Sequence, residues 1–457
     1  MGAKVSRRFV VGSGLAGAIA LAGAGTAKAS TGSVSNSSDS VVELYFPVPS
    51  VPGGGPLGTD QVHVLAIGPA CAETVLVLVP GMLGAANDFR LMARDLVSAV
   101  PGLQVWAVDR REQNLADLSH MASADRIDYY LGDHYRSQDP AKSGYVGEWG
   151  LALGLQDLRQ VVLAASAGGR RVVLGGHSYG ATTALAYAAW DFDGRPGYRD
   201  VAAICLLDGG VHGAWAGEGQ YPQNSPEQVK ERLAAIAAGG VFDLSLVPVG
   251  VGTRPESTQI WYQLAGWYAH IAPDEQSVLQ PHLPDALQVP FPITNAALLG
   301  MFVDESFGWP KDISVHSGHF AAGGAVRGWV DDGITPISRV AAAYAGPSPV
   351  VWEWYWPERL SVDFDVIDPY TDTDLARSLG LRLHHASELN IPLYTFATST
   401  SNGTVTSSAQ WVVANSRIPS ASYASDDGMD HLDPLFAATE NNTATRTLAE
   451  FLIHGLG

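Results

Sequence analysis

Gly176-His177-Ser178-Tyr179-Gly180 is the segment of this chain best suited to chemistry. A serine hydroxyl is a weak nucleophile until its surroundings activate it. Ser178 has glycine two residues away on each side, follows the apolar run Arg171–Leu174 and precedes the alanine-rich stretch Ala181–Trp190. That order predicts a strand, a sharp turn and a helix in immediate succession. Such a G-x-S-x-G turn strains the serine at the strand end, and its glycines let strand and helix approach without a Cβ clash. The helix N-terminus then faces negative charge developing beside the serine. Attack on a carbonyl, with the turn bearing the charge of the intermediate, is the chemistry this arrangement serves.

A turn of this kind needs a sheet to stand on. Val41–Pro49 and Gln61–Ile67 read as strands joined by a Pro/Gly turn at 50–57, and Thr74–Val79 is a continuous apolar run of strand length. Runs like that mark strands covered on both faces. Asn87–Ala99 and Glu148–Ala165 carry apolar residues at helical spacing, with a strand at Gln104–Val108 between them that ends at Asp109. Val201–Leu207, Asn390–Thr398 and Ile418–Ser425 read as further strands, and Thr443–Ile453 as a closing helix. This alternation predicts an α/β fold, doubly wound about a mostly parallel sheet. It stops between 211 and 388, where Pro, Gly and aromatics are frequent. The core is therefore expected in two parts, 30–210 and 389–457, with a large inserted cap over 211–388. Eight of the 12 tryptophans fall in the insert, as material either for an apolar cleft or for the cap's own core.

The 457 residues are 46% hydrophobic, enough for a large core, and the net charge of −19 is spread without blocks. That balance argues against a nucleic-acid partner, which needs a basic face, and against docking on anionic lipid. Ser6-Arg7-Arg8-Phe9-Val10-Val11 resembles the twin-arginine pattern of exported bacterial proteins. A Gly/Ala-rich apolar run follows from Val10 to Gly25, and Ala27-Lys28-Ala29 fits a small-residue cleavage site. Residues 1–29 are expected to be an export signal, with a secreted chain that starts at Ser30 and opens on a Ser-rich lead-in over 30–40. The apolar run is too short for a stable membrane anchor. Cys71 and Cys205 are the only cysteines. Export would permit them to pair, but Cys205 lies in an apolar strand run and reads as a buried free thiol. No CxxC or spaced Cys/His set suggests a metal site. Oligomeric state is not legible.

With the elbow at 176–180 in its strand–turn–helix setting, the chain resembles the α/β-hydrolase family. The resemblance covers residues 41–210 and 389–454. It implies a serine hydrolase of the secreted esterase or lipase kind, with Ser178 as nucleophile and no cofactor. It also implies an oxyanion hole made by the backbone N–H groups of Tyr179 and Met82. Met82 lies in the loop after the third strand, Pro80-Gly81-Met82-Leu83-Gly84. Many relatives have His-Gly where this chain has Pro80-Gly81, a departure that leaves a main-chain donor intact.

The base is expected in the loop after the last strand, where His431 stands, one of 13 histidines. His177 would point away from the Ser178 hydroxyl and reads as structural. The usual place for the acid, after the strand Ile391–Thr398, is empty, since no Asp or Glu occurs from Leu389 to Ser425. Some lipases of the family carry the acid one strand earlier, where Asp208 ends an apolar run. A buried carboxylate there needs a partner, and a protonated histidine provides one. Glu353, in the aromatic run Val351–Trp356, is the other candidate. Asp109 also ends a strand, but on the far side of the nucleophile in the usual strand order. The expected substrate is a small-molecule or lipid-like carboxylic ester. Other acyl substrates fit the same triad: an amide or peptide, a lactone, a thioester or a polyester. From a different class, a non-catalytic binding member of the fold is the alternative. A serine in place of a carboxylate nucleophile argues against epoxide hydrolase or dehalogenase chemistry.

Overall fold

The apolar runs become the strands of one sheet in the computed structural model, which describes residues 41–456 except 133, 220–224, 249 and 308–313. The export signal expected at 1–29 and the lead-in at 30–40 lie outside the described residues. In chain order the strands are β1 (Glu43–Pro49), β2 (Gln61–Ile67), β3 (Thr74–Val79), β4 (Leu103–Asp109), β5 (Arg171–His177) and β6 (Ala203–Leu207), then β7 (Gly318–Phe320), β8 (Trp329–Asp331), β9 (Leu393–Thr398) and β10 (Ala421–Asp426). Among the described residues eight of them form a single sheet in the order β1-β2-β4-β3-β5-β6-β9-β10, and β7 with β8 makes a small separate ribbon. β2 pairs antiparallel with both β1 and β4, and every pairing from β4 through β10 is parallel. All residues of β4, β6 and β9 are buried; β6 is apolar throughout, whereas β4 also buries Gln104 and Asp109 and β9 buries Thr395 and Thr398.

The chain leaves β3 toward β4 on one side and returns as β5 on the other. Right-handed crossovers then place their helices on opposite faces. Arg90–Ala99 packs with Thr443–His454, and Leu151–Ala165 with Tyr179–Ala189. The reversal of strand order beside β3 opens a crevice at the carboxyl ends of β3 and β5, the usual site location in such sheets. Ser178 and the 80–84 loop both lie there.

Local differences from the sequence reading have identifiable causes. The helix expected from Glu148 begins at Leu151, because Gly144–Glu148 is a 3-10 turn and the Leu151 N–H is capped by Asp363 Oδ2 at 2.8 Å. A helix at Thr404–Ala414 connects β9 to β10 and was not foreseen. Its serines and threonines are weak helix formers. Val405, Ser408, Ala409 and Val412 are nonetheless spaced as one buried stripe against the sheet. Residues 211–388 contain the helices Pro226–Ala237, Ser257–Ile271, Asn295–Val303, Ile337–Ala343 and Glu358–Ile367 together with the ribbon. Trp261, Trp354 and Trp356 are buried in the same continuous core as the sheet residues. Both cysteines are free: Cys71 is exposed and Cys205 is buried in β6. No helix among the described residues is long and apolar enough to cross a membrane.

Candidate active site

β5 ends at His177, and the helix Tyr179–Ala189 begins two residues later, so Ser178 must turn the chain alone. It does so at φ 57° and ψ −128°, a strained setting for a residue with a Cβ. The turn is held from both sides. Ser178 N–H donates to the Leu207 carbonyl at 2.9 Å, and its own carbonyl accepts from Ala181 N–H at 2.9 Å. The glycines are needed for close approach: a Cβ on Gly176 would lie 2.2 Å from the Gly180 carbonyl carbon, and one on Gly180 would lie 1.9 Å from the Val79 oxygen. As the first residue of its helix, Tyr179 has an N–H that no carbonyl of that helix can take.

Asp208 lies at the end of β6 with φ 43°, fully buried. Its Oδ2 accepts from His431 Nδ1 at 2.6 Å, across 223 residues of chain. Thr398, at the end of β9, donates its N–H to Oδ1 at 2.8 Å and its hydroxyl to Oδ2 at 2.5 Å. Burial alone would raise this carboxyl. The hydrogen bond and charge of His431 and the two Thr398 donors outweigh it and hold Asp208 below the usual range. An ionised Asp208 requires the proton on His431 Nδ1, which leaves Nε2 as the basic nitrogen of the ring. The strand ends thus bring Asp208 and His431 together, as the sequence reading paired them.

His177, read from the sequence as structural, has a definite task. Its ring lies 4.4 Å from that of His431, and its Nε2 donates to the His431 carbonyl at 2.8 Å. Burial, with the neighbouring His431, pushes its pKa down to about 3, so the ring stays neutral. Beyond His431, Asp433 accepts from Asp430 N–H at 2.7 Å, His316 N–H at 2.9 Å and the Thr335 hydroxyl at 2.6 Å, and Leu432 N–H reaches the Ser314 carbonyl at 3.1 Å. The histidine loop is therefore fixed to the core at its carbonyl and to the insert two residues later. Burial raises the Asp433 pKa to about 7 despite these donors.

The loop after β3 turns tightly, with Gly84 N–H bonded to the Gly81 carbonyl at 3.2 Å and Leu83 at φ 58°. It passes directly beside Ser178: a Cβ on Gly81 would stand 2.8 Å from the Ser178 Cβ and 3.3 Å from its Oγ. Met82, the expected second oxyanion donor, is the next residue. Aromatic rings of the insert close in on Tyr179. Phe364 stacks on its ring at 4.7 Å, and Trp215 meets it edge-on at 5.3 Å and lies 6.3 Å from the His431 ring.

Glu353, the other acid candidate, is not at His431; it pairs with Arg110 at 2.9 Å. Asp109 serves the main chain and its neighbours. It accepts from Ala86 N–H at 2.5 Å and from the Tyr45 and Ser348 hydroxyls, each at 2.7 Å. Sequence reasoning did not single out Arg110, Thr398 or Asp433. A signal existed only for Arg110, as a cation directly following the strand-ending Asp109. Among the described residues no group of three or more His, Cys, Asp or Glu is placed to hold a metal ion.

No family model and no curated protein sequence matches the chain. Solved structures do. A candidate lipase from Sulfolobus solfataricus superposes with a TM-score of 0.50 at 15% identity, over 90% of this chain and 94% of that one. Epoxide hydrolase A from Mycobacterium thermoresistibile gives 0.43 at 14% identity, over 90% and 98%. A thermophilic esterase from Thermogutta terrifontis gives 0.39 at 10% identity, over 90% and 98%. At these identities the likeness is one of fold, and the first of the three carries it: the chain has the α/β-hydrolase fold.

Proposed function

We propose that this chain is an exported serine hydrolase that cleaves carboxylic esters through an acyl-enzyme. The observation that carries the reading is the 2.6 Å contact between Asp208 and His431 Nδ1, beside a serine strained at a strand–helix elbow. In the proposed cycle Ser178 Oγ attacks the acyl carbon while its proton passes to His431 Nε2. The oxyanion rests on the N–H groups of Met82 and Tyr179. Collapse expels the alcohol, which takes the proton from His431. Water then repeats the attack on the acyl-enzyme, releasing the acid and returning the proton to Ser178. Asp208 holds the imidazole tautomer and balances its charge. A serine at this position supports acyl transfer over epoxide opening, where a carboxylate forms the ester intermediate.

Hydrolysis of short- and long-chain p-nitrophenyl esters by wild type and Ser178→Ala tests the reading. Turnover by the wild type, with the variant at least about 10³-fold slower, is the expected result. A variant as active as wild type would remove Ser178 from the mechanism. Export is part of the proposal, supported by the order of Arg7-Arg8, apolar run and Ala27-Lys28-Ala29. N-terminal sequencing of protein recovered from culture medium should return Ser30.

A further inference from the structure

Arg110 stands just past β4, and its guanidinium is shared between one loop and one carboxylate. Nη1 donates to the Pro80 carbonyl at 2.8 Å, and Nη2 to the Gly81 and Gly84 carbonyls at 2.8 and 3.2 Å. Glu353, from the insert, holds the same guanidinium through Nε and Nη2 at 3.2 and 2.9 Å, and accepts the Arg110 N–H on its other oxygen at 3.0 Å. The backbone around Glu353 is joined to the loop as well. Glu353 N–H donates to the Leu83 carbonyl at 2.7 Å, Ala85 N–H to the Val351 carbonyl at 3.1 Å, and Gly84 bridges to Trp352. The Trp356 ring covers the guanidinium at 4.7 Å.

A trans peptide points its C=O and the following N–H in opposite directions. With the Gly81 carbonyl drawn to Arg110, the Met82 N–H is turned the other way, and Gly81 is the residue lying against Ser178. An ion pair that only tied insert to core would not need three carbonyls of one irregular loop. We propose that Arg110 and Glu353 are positioning residues for the oxyanion hole: they fix the Gly81–Met82 peptide with its N–H toward Ser178, and they make that orientation depend on the seating of the insert. The inference rests on the serine-hydrolase reading.

The test compares the full-length wild type with Arg110→Met, Arg110→Lys and Glu353→Gln. Each is assayed for p-nitrophenyl ester turnover, thermal unfolding and inhibition by an alkyl trifluoromethyl ketone. That ketone adds to Ser178 Oγ; its carbonyl electron pair becomes the oxyanion and the serine proton passes to His431, so its affinity reports the hole directly. Arg110→Met should lower kcat about 100-fold, as for loss of one oxyanion donor, with KM within about threefold. Ketone affinity should fall by a similar factor. Arg110→Lys should recover part of both, and Glu353→Gln should lose about five- to tenfold, since a neutral partner still accepts from Arg110 but more weakly. A folded Arg110→Met with kcat and ketone affinity within about threefold of wild type overturns the proposal. Should that variant fail to fold, unchanged ketone affinity in folded Arg110→Lys and Glu353→Gln overturns it equally. A wild type that neither turns over esters nor reacts with a fluorophosphonate at Ser178 sinks the hydrolase reading itself, and this proposal with it. A labelled wild type with indifferent variants sinks this proposal alone.

Discussion

The histidine–aspartate pair and the loop at 80–84 both adjoin the Ser178 turn, yet they are supported by different parts of the chain. Around Asp208 and His431 the nearest supports come from strand ends: Thr398 at the end of β9, His177 at the end of β5 and the main chain of β6. The insert reaches this side through Trp215, 6.3 Å from the His431 ring, and past His431 at Leu432 and Asp433. Around Gly81 the supports are Arg110 from the core and Val351–Glu353 from the insert, and Phe364 of the insert stacks on Tyr179. The strand ends therefore hold Asp208 and the His431 carbonyl. The 80–84 loop and the walls near Tyr179 depend on how residues far along the chain come back to the sheet.

This contrast is sharpest where a charge is removed from the core side. Asp208→Asn should lower kcat by roughly 10³–10⁴-fold with KM little changed, because an amide at this position no longer stabilises the imidazolium or its working tautomer. Steady-state kinetics on a short ester checks it. A loss under about tenfold would place the acid elsewhere and break the comparison. Next comes the seam between the two regions. Gly81→Ala puts a Cβ within 2.8 Å of Ser178 Cβ, so the loop or Ser178 must shift. A fall in kcat of roughly 10- to 100-fold is expected, with thermal stability largely kept. Activity near wild type would mean the loop moves freely beside Ser178.

On the insert side the expected effects are smaller and of a different kind. Phe364→Ala removes the ring stacked on Tyr179 and should change kcat/KM by about 2- to 12-fold, unevenly across acyl chain lengths. A uniform change across all chain lengths would argue that Phe364 is packing alone. The smallest effect at neutral pH belongs to His177. Its pKa is about 3 in the fold against an ordinary 6.5, so the unfolded chain binds a proton in that window that the folded chain does not. Folding stability should then fall as pH drops from about 6.5 toward 3, by up to about 1.4 kcal/mol per pH unit from this group. His177→Gln should flatten that acid-side slope by about one proton in urea unfolding between pH 7 and 4. Equal slopes for the two proteins would show that His177 is not held neutral.

How much of this was legible in the sequence follows the same division. β3 after its first residue and β6 throughout are apolar because both faces are covered, so they stand out in the sequence as continuous apolar runs. The elbow is legible because steric limits at 176–180 act between neighbours in the chain. The helix at Thr404–Ala414 was missed because its residue types favour turns and caps, and burial overrides them. Glu353 and Asp208 stood as rivals in the sequence, both acids in apolar surroundings. Only the fold sends one to Arg110 and the other to His431.

By itself the sequence determined the α/β alternation, the strained position of Ser178 and the strand-end loops from which a base and an acid are available. Each rests on interactions within a few residues, which composition and spacing record directly. The tertiary structure decided which carboxylate meets His431, what holds the His431 carbonyl and how the Gly81–Met82 peptide is turned. Those contacts join residues 223, 254 and 29 positions apart. They exist only once burial has made each polar group find a partner, and no local pattern in the chain encodes which partner that is.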